Sequence, residues 1–417
     1  MKFKKIHSGL IALGLCCSLF LQTPVLAAEE TADAAAVSAI STNDIAGWPQ
    51  GPDITSTAAV IMEDSTNTTL YAKNMEQVLY PGATVKVMTT LLALENTQLS
   101  DQVTMTATGV SGVTDGGANI SAQIDEVFTV EQCLYAIMLA SANDVALQLA
   151  EHIGGSVDGF VQMMNARATE LGCTNTVFTN PTGLPDENQH TTAHDMALIM
   201  KAAADNESFQ TIASTTSYTI PATNVSGGER VLTNNFSMLT NTNAAYYQYC
   251  TGGREGYTEA SGSTLVCSAQ KNGITLIAVV LQGTSGTTAT EAASLLNYGF
   301  DNFNMLSLGD NDFNMLSGGD VYVPVGTTAD ALTTQDGKVQ DGQYSRQYLF
   351  GGTAVGTSVM AATQEEDTSL VDASVQNIDA ARNYTEGRNN LPYFIIGGVG
   401  ILLLLLILLR IIKVAKS

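Results

Sequence analysis

Lys86 lies in the stretch Tyr80-Pro81-Gly82-Ala83-Thr84-Val85-Lys86-Val87-Met88-Thr89, which opens an apolar helix running to about Glu95. A lysine that burial or its neighbours hold neutral can take a proton from a nearby group. Ala83, three residues earlier, shares its helical face and carries no atom able to attack a carbonyl. Thr84 has a hydroxyl but points about 100° around the helix from Ala83. Two further groups carry chemistry. Ser141-Ala142-Asn143-Asp144 stands where one helix stops and another starts, a place where Ser and Asn also serve as caps. Arg254-Glu255-Gly256, followed by Tyr257 and Thr258, sets a guanidinium beside a carboxylate, and the two can pair. His152, His190 and His194 lack ligand-like spacing with acidic partners, and no cysteine spacing resembles a zinc site. The sequence implies neither metal nor cofactor.

The elements that must position these residues are legible in the hydrophobic pattern. Ala58 to Met62 and Thr69 to Tyr71, joined through Asp64-Ser65-Thr66-Asn67, read as a β-hairpin. Thr129 is an N-cap with Glu131 and Gln132 in the first turn of a helix through Leu134 to Leu139. Helices follow over Val145 to Ile153, ended by Gly154-Gly155, and over Val157 to Leu171. After the loop Asn180-Pro181-Thr182-Gly183-Leu184-Pro185 comes a helix from Ala193 to Ala204. Strands are expected around Tyr257, over Thr264 to Ala269, and over Ile274 to Gln282, the last one central; Glu291 to Phe300 is a closing helix. Strands at both ends with helices between them define an α/β fold with an antiparallel sheet.

The chain ends differ from its body. Lys2, Lys4 and Lys5, an apolar run from Leu10 to Leu21 and small residues near Ala27 and Ala28 read as a secretory signal over 1–28. Tyr393 to Leu409 is continuously apolar and is followed by Arg410, Lys413 and Lys416. It reads as a membrane span over 392–412 with a cytoplasmic tail at 413–417. Between these ends the expected layout is a flexible leader at 29–52, the α/β domain at 53–302, a linker at 303–320, a small β module at 321–362 and an acidic tether at 363–391. The linker contains a duplication, Phe303-Asn304-Met305-Leu306-Ser307 and Phe313-Asn314-Met315-Leu316-Ser317. All 40 acidic residues fall between Glu29 and Glu386, whereas six of the 17 basic residues belong to the two ends. So acidic a body argues against nucleic acid or an anionic membrane surface as partner. Cys133, Cys173, Cys250 and Cys267 remain after signal cleavage; Cys250 and Cys267 flank an expected hairpin and are the pair to test for a disulfide.

Over roughly Ala58 to Phe300 the chain resembles the serine-type D-alanyl-D-alanine carboxypeptidases of the penicillin-binding protein family. The resemblance rests on ordered motifs. Tyr80 to Thr89 is similar to the family's S-x-x-K block, with Ala83 in place of the serine and Lys86 retained. Ser141-Ala142-Asn143 matches S-x-N and carries the usual Asp144. Phe178 to Leu184 and Thr192 to Ala197 look like a further hallmark, and Arg254-Glu255-Gly256 stands where the family has K-T-G.

The resemblance implies a β-lactamase/transpeptidase-like domain of helices packed with an antiparallel sheet, followed by the β module and one transmembrane helix. It implies an exported protein facing the cell wall. Its partners would be peptidoglycan stem peptides ending in D-Ala-D-Ala, with β-lactams as ligands. In such a site the lysine takes the serine proton, the S-x-N residues relay a proton and hold the peptide amide, and the strand motif binds the substrate carboxylate. On that pattern Ala83, Lys86, Ser141 and Asn143 occupy the catalytic positions, and Arg254, Glu255, Gly256 and Thr258 the substrate-binding ones. Glu255 then opposes a carboxylate with a carboxylate. The leading expectation is a degenerate, non-acylating member. The alternatives are an active hydrolase with a displaced nucleophile, such as Ser141 activated by Lys86, and a structural or binding protein of the wall.

Overall fold

The computed structural model describes residues 40–113, 117–309 and 314–362. Its centre is a sheet with strand order β2-β1-β9-β8-β7, every neighbouring pair antiparallel. The hairpin of β1 (Ala58–Glu63) and β2 (Thr69–Lys73) opens it. A 3-10 turn, Gly82–Thr84, then feeds α1 (Val85–Asn96). The short strands β3 (Gln102–Thr104) and β4 (Val127–Thr129) pair on either side of α2 (Ala107–Gly112).

Four helices follow: α3 (Val130–Ala140), α4 (Asn143–Gly154), α5 (Val157–Glu170) and α6 (Ala193–Ala204). Thr129 caps α3 as the sequence indicates, in a reciprocal box with Gln132. Three elements absent from the sequence reading come next: α7 (Glu207–Ser214) and the hairpin of β5 (Ser217–Ile220) with β6 (Arg230–Thr233). Then β7 (Cys250–Thr258), β8 (Gly262–Lys271) and β9 (Ile274–Gly283) complete the sheet, and α8 (Thr288–Asn302) crosses it.

The sheet separates two cores. β1 is buried along its whole length because both of its faces are covered. Val60 and Met62 join the core built by α1 and α3 to α7, whereas Ala59 and Ile61 join the one built by α8 and the chain's outer segments. The strand period of two does the sorting. β9 divides the same way, Ile277, Val279 and Leu281 against Leu276, Ala278 and Val280, and it lies at the middle of the sheet as expected. β7 lies at the edge.

Two expectations about the flanks are corrected. The leader placed at 29–52 is folded from Ile40 onward. Trp48 is buried, its Nε1 donates to Leu70 O at 2.8 Å, and its ring packs on Phe303 and Phe350. An indole brings too much apolar area, and a donor too easily satisfied, to stay in solvent. The duplicated segment is not a spacer either: its first copy is β10 (Phe303–Ser307), and its second enters β11 (Met315–Gly318). β10 pairs with β12 (Asp320–Pro324). β13 (Thr333–Asp336), β14 (Gln343–Phe350) and β15 (Thr353–Ala361) form a four-stranded sheet with β11. The β module thus begins at Phe303, not at residue 321.

The expected signal (1–28), tether (363–391), membrane span (392–412) and tail (413–417) lie outside the described residues. Among the described residues no helix is long and apolar enough to cross a membrane. Cys133, Cys173, Cys250 and Cys267 are free thiols. The Cys250 thiol donates to Gly252 O at 3.9 Å; the neighbouring Cys250 thiol and burial together raise the Cys267 thiol well above its ordinary range.

Candidate active site

Lys86 enters the first turn of α1, a helix with nine buried residues, and is itself only 2% exposed. Its Nζ donates to Asn143 Oδ1 at 2.7 Å and to the Thr182 carbonyl. Burial pulls its pKa well below the ordinary lysine value, and the nearby Arg254 charge adds to the effect. The hydrogen-bond count agrees. A neutral amine has two N–H donors, and the two acceptors use both; an ammonium would leave a third donor over. The amine's lone pair is then the only uncommitted part of the group. It belongs to a side chain one turn beyond Ala83, and no hydroxyl stands there to donate to it. Thr84, the other hydroxyl on this turn, is buried and donates to Pro81 O at 2.7 Å.

The loop carrying Thr182 is shaped by its own polar groups. Asn180 Oδ1 accepts from the Thr182 hydroxyl at 2.8 Å and from Gly183 N at 2.9 Å, folding the Asn-Pro-Thr-Gly turn on itself. Thr89 Oγ1 fastens the turn to α1 through Pro181 O at 2.7 Å. Gly183 has φ +78°, and a Cβ there would come within 1.9 Å of Gly82 O, so no other residue lets the loop lie this close to the turn bearing Ala83.

Asn143 begins α4, and Ser141 ends α3 in the left-handed conformation at φ 59°. A non-glycine residue held there reflects constraint by its surroundings. Ser141 N donates back to Ala136 O, closing the end of α3, and Asp144 ties the neighbouring loop to the start of α4. Its carboxylate accepts the backbone N–H groups of Val145 at 2.9 Å and of Ile120 and Ala122 at 3.2 Å each. Asn143 N donates to Ala118 O at 2.8 Å. Burial raises the Asp144 pKa although these donors oppose it. The same loop is held further along by Glu126, buried and bound to Arg230 through two bonds of 2.8 and 2.9 Å.

β7 supplies the opposite wall. Gly256 faces Ala83 so closely that a Cβ on residue 256 would meet the alanine methyl at 2.5 Å. Arg254 is 1% exposed; its Nη1 donates to Met138 O at 2.8 Å and to Asn235 Oδ1 at 3.0 Å, so it is tied to the end of α3. Burial lowers its pKa to about 10 while Glu255 counteracts, which still leaves it cationic at neutral pH. The pairing of Arg254 with Glu255 does not occur. Successive side chains of a strand leave opposite faces, and the Glu255 carboxylate instead accepts from Ser237 N at 2.7 Å and Ser237 Oγ at 2.9 Å. Glu255 lines a cleft of about 380 Å³ together with Gly256, Tyr257, Asn235 and Ser237.

The structure therefore brings Ala83, Lys86, Asn143, Arg254 and Gly256 together, with Ser141 two residues from Asn143. The Thr258 hydroxyl is engaged in the β7–β8 turn, where it meets Ser261 Oγ at 2.7 Å. The sequence reading missed Thr182, Asp144 as a clamp, Asn235 and Ser237. Turn chemistry at Asn180 to Gly183 was a usable signal for the first. Nothing local marks Asn235 or Ser237, which reach the site through the unforeseen β5–β6 region.

The family model described as D-alanyl-D-alanine carboxypeptidase matches residues 46–285, more than half of the chain. The chain belongs to this family. Among curated relatives, D-alanyl-D-alanine carboxypeptidase DacF of Bacillus subtilis is 33% identical over 254 residues, 59% of this chain and 62% of that protein. The chain thus spans less than two thirds of that relative's length. The D-alanyl-D-alanine carboxypeptidase of Streptomyces sp. strain K15 is 31% identical over 60% of this chain and 88% of its own. Among solved structures, penicillin binding protein 6B of Escherichia coli superposes with a TM-score of 0.63 at 22% identity, covering 76% of this chain and 99% of that one. That likeness establishes the fold: the α/β, penicillin-binding type of domain with an antiparallel sheet.

Proposed function

We propose that this chain is a wall-facing member of the carboxypeptidase family that binds peptidoglycan stem peptides without acylating on them. The observation that carries the reading is the methyl group of Ala83. It occupies the nucleophile position between a neutral-leaning Lys86 and the close-packed Gly256. Deleting the nucleophile of a serine hydrolase lowers turnover by a factor on the order of 10⁶. Lys86, Ser141 and Asn143 take the catalytic positions of the family pattern, and the edge strand β7 with Arg254, Glu255 and Gly256 takes the peptide-binding ones. An edge strand offers unpaired backbone groups to an extended peptide. Thr258 is assigned to the turn rather than to the ligand.

The reading includes export through residues 1–28 and anchoring by a helix at 392–412. Support for the anchor is the apolar run itself, with Arg410, Lys413 and Lys416 behind it. In a cleft without a nucleophile, β-lactams bind without forming a covalent bond.

The test is release of D-alanine from N-acetyl-D-Ala-D-Ala by the full-length protein in detergent. The expected result is release no faster than in buffer. Steady release would overturn the reading, and its loss in Ser141→Ala would identify the displaced nucleophile.

A further inference from the structure

The geometry points to a cationic ligand: the cleft on the Glu255 side of β7, joined to the Ala83 position through Gly256, receives a peptide whose end nearest β7 bears an ammonium group rather than a carboxylate. This rests on the peptide-binding reading above and specifies its ligand. Among the described residues that line the cleft, Glu255 is the only ionisable acid or base besides the Tyr257 phenol, and none is a lysine, arginine or histidine. Two of the carboxylate's acceptor sites are taken by Ser237. A carboxylate has about four, so sites remain for an ammonium. Arg254 does not neutralise the cleft from within. It is buried on the other face of the strand, with Nη1 committed to Met138 and Asn235.

The rest of the lining suits a cation. Tyr257 is 62% exposed and offers an aromatic face. Ser285 and Ser263 add hydroxyls able to accept hydrogen bonds. A ligand carboxylate placed here meets like charge and finds no charged donor among the described lining residues. Gly256 links the cleft to the reactive position, since its backbone lies against both Ala83 and the cleft.

Glu255 could also serve only to anchor the turn at Ser237, and the experiment separates the two roles. Binding to the full-length protein is measured by calorimetry for N-acetyl-D-Ala-D-Ala as the free acid, as its C-terminal amide and as its C-terminal 2-aminoethyl amide. The expected order is aminoethyl amide tightest, at least tenfold over the free acid, with the neutral amide between. In Glu255→Gln that preference falls to within twofold. A free acid that binds as tightly as the aminoethyl amide, or a ranking unchanged in Glu255→Gln, overturns the inference and leaves the non-acylating reading intact. If none of the three binds, the inference and the binding half of that reading both fall. Release of D-alanine from the free acid overturns the non-acylating half alone.

Discussion

Lys86 is a buried amine held by two acceptors, and this makes its protonation a stability term. Its folded pKa lies below its unfolded value. Between those two values the unfolded chain binds the proton and the folded chain does not, so stability rises with pH across that window and levels off near pH 10.4, the ordinary lysine value. Lys86→Met removes the term. The difference in unfolding free energy between wild type and Lys86→Met, followed by urea denaturation from pH 7 to 10, is expected to grow in favour of wild type. Its slope approaches about 1.4 kcal/mol per pH unit inside the window. A flat difference would mean that Lys86 stays charged. At neutral pH the variant also leaves Asn143 Oδ1 and Thr182 O without their donor, at a cost of about 1–3 kcal/mol for each buried group. Much of this was legible in the sequence, because Ala83, Lys86 and Asn143 stand in ordered motifs of the family the chain resembles, although Ala83 lies in a 3-10 turn rather than in the helix expected to carry it. The directions of Arg254 and Glu255 were not. The chemistry of two adjacent charges suggests pairing, and only the register of β7 on β8 separates them to opposite faces.

At the level of elements, the site depends on the junction of α3 and α4. Asp144 gathers three backbone N–H groups, two of them from the loop before β4. Without it that loop loses its acceptor and Asn143 loses the frame that aims it at Lys86. Asp144→Ala is expected to lower stability by about 3 kcal/mol, since buried N–H groups bonded to a carboxylate are left unsatisfied. Hydrogen exchange should then accelerate at Ile120 and Ala122 while the strands of the central sheet stay protected; unchanged exchange there would contradict the clamp. The long apolar helices and the central strands follow directly from hydrophobic period and caps. α7 and the β5–β6 hairpin do not. They are short and polar on their outer sides, and they are fixed by long-range partners such as Glu126 with Arg230 and Arg254 with Asn235. No local pattern encodes such contacts.

At the scale of the molecule, the sheet's two faces carry different tasks. One packs the helices that hold the site; the other packs α8, the segment from Ile40 and the start of the C-terminal strands. The sequence misread that second face as leader and linker, because Trp48 and Phe303 each look isolated until the fold sets them 5.0 Å apart. The proposed membrane anchor at 392–412 belongs to this scale too. Removing residues 392–417 is expected to move the protein from the membrane fraction to the soluble one in alkaline extraction; continued membrane retention would place the anchor elsewhere. With alanine at position 83, the retained Lys86 has no nucleophile to activate, and no acyl-enzyme is expected. The most direct test is the intact mass of the full-length protein after incubation with excess benzylpenicillin. An unchanged mass is expected, whereas a gain equal to one bound penicillin would show that the chain acylates.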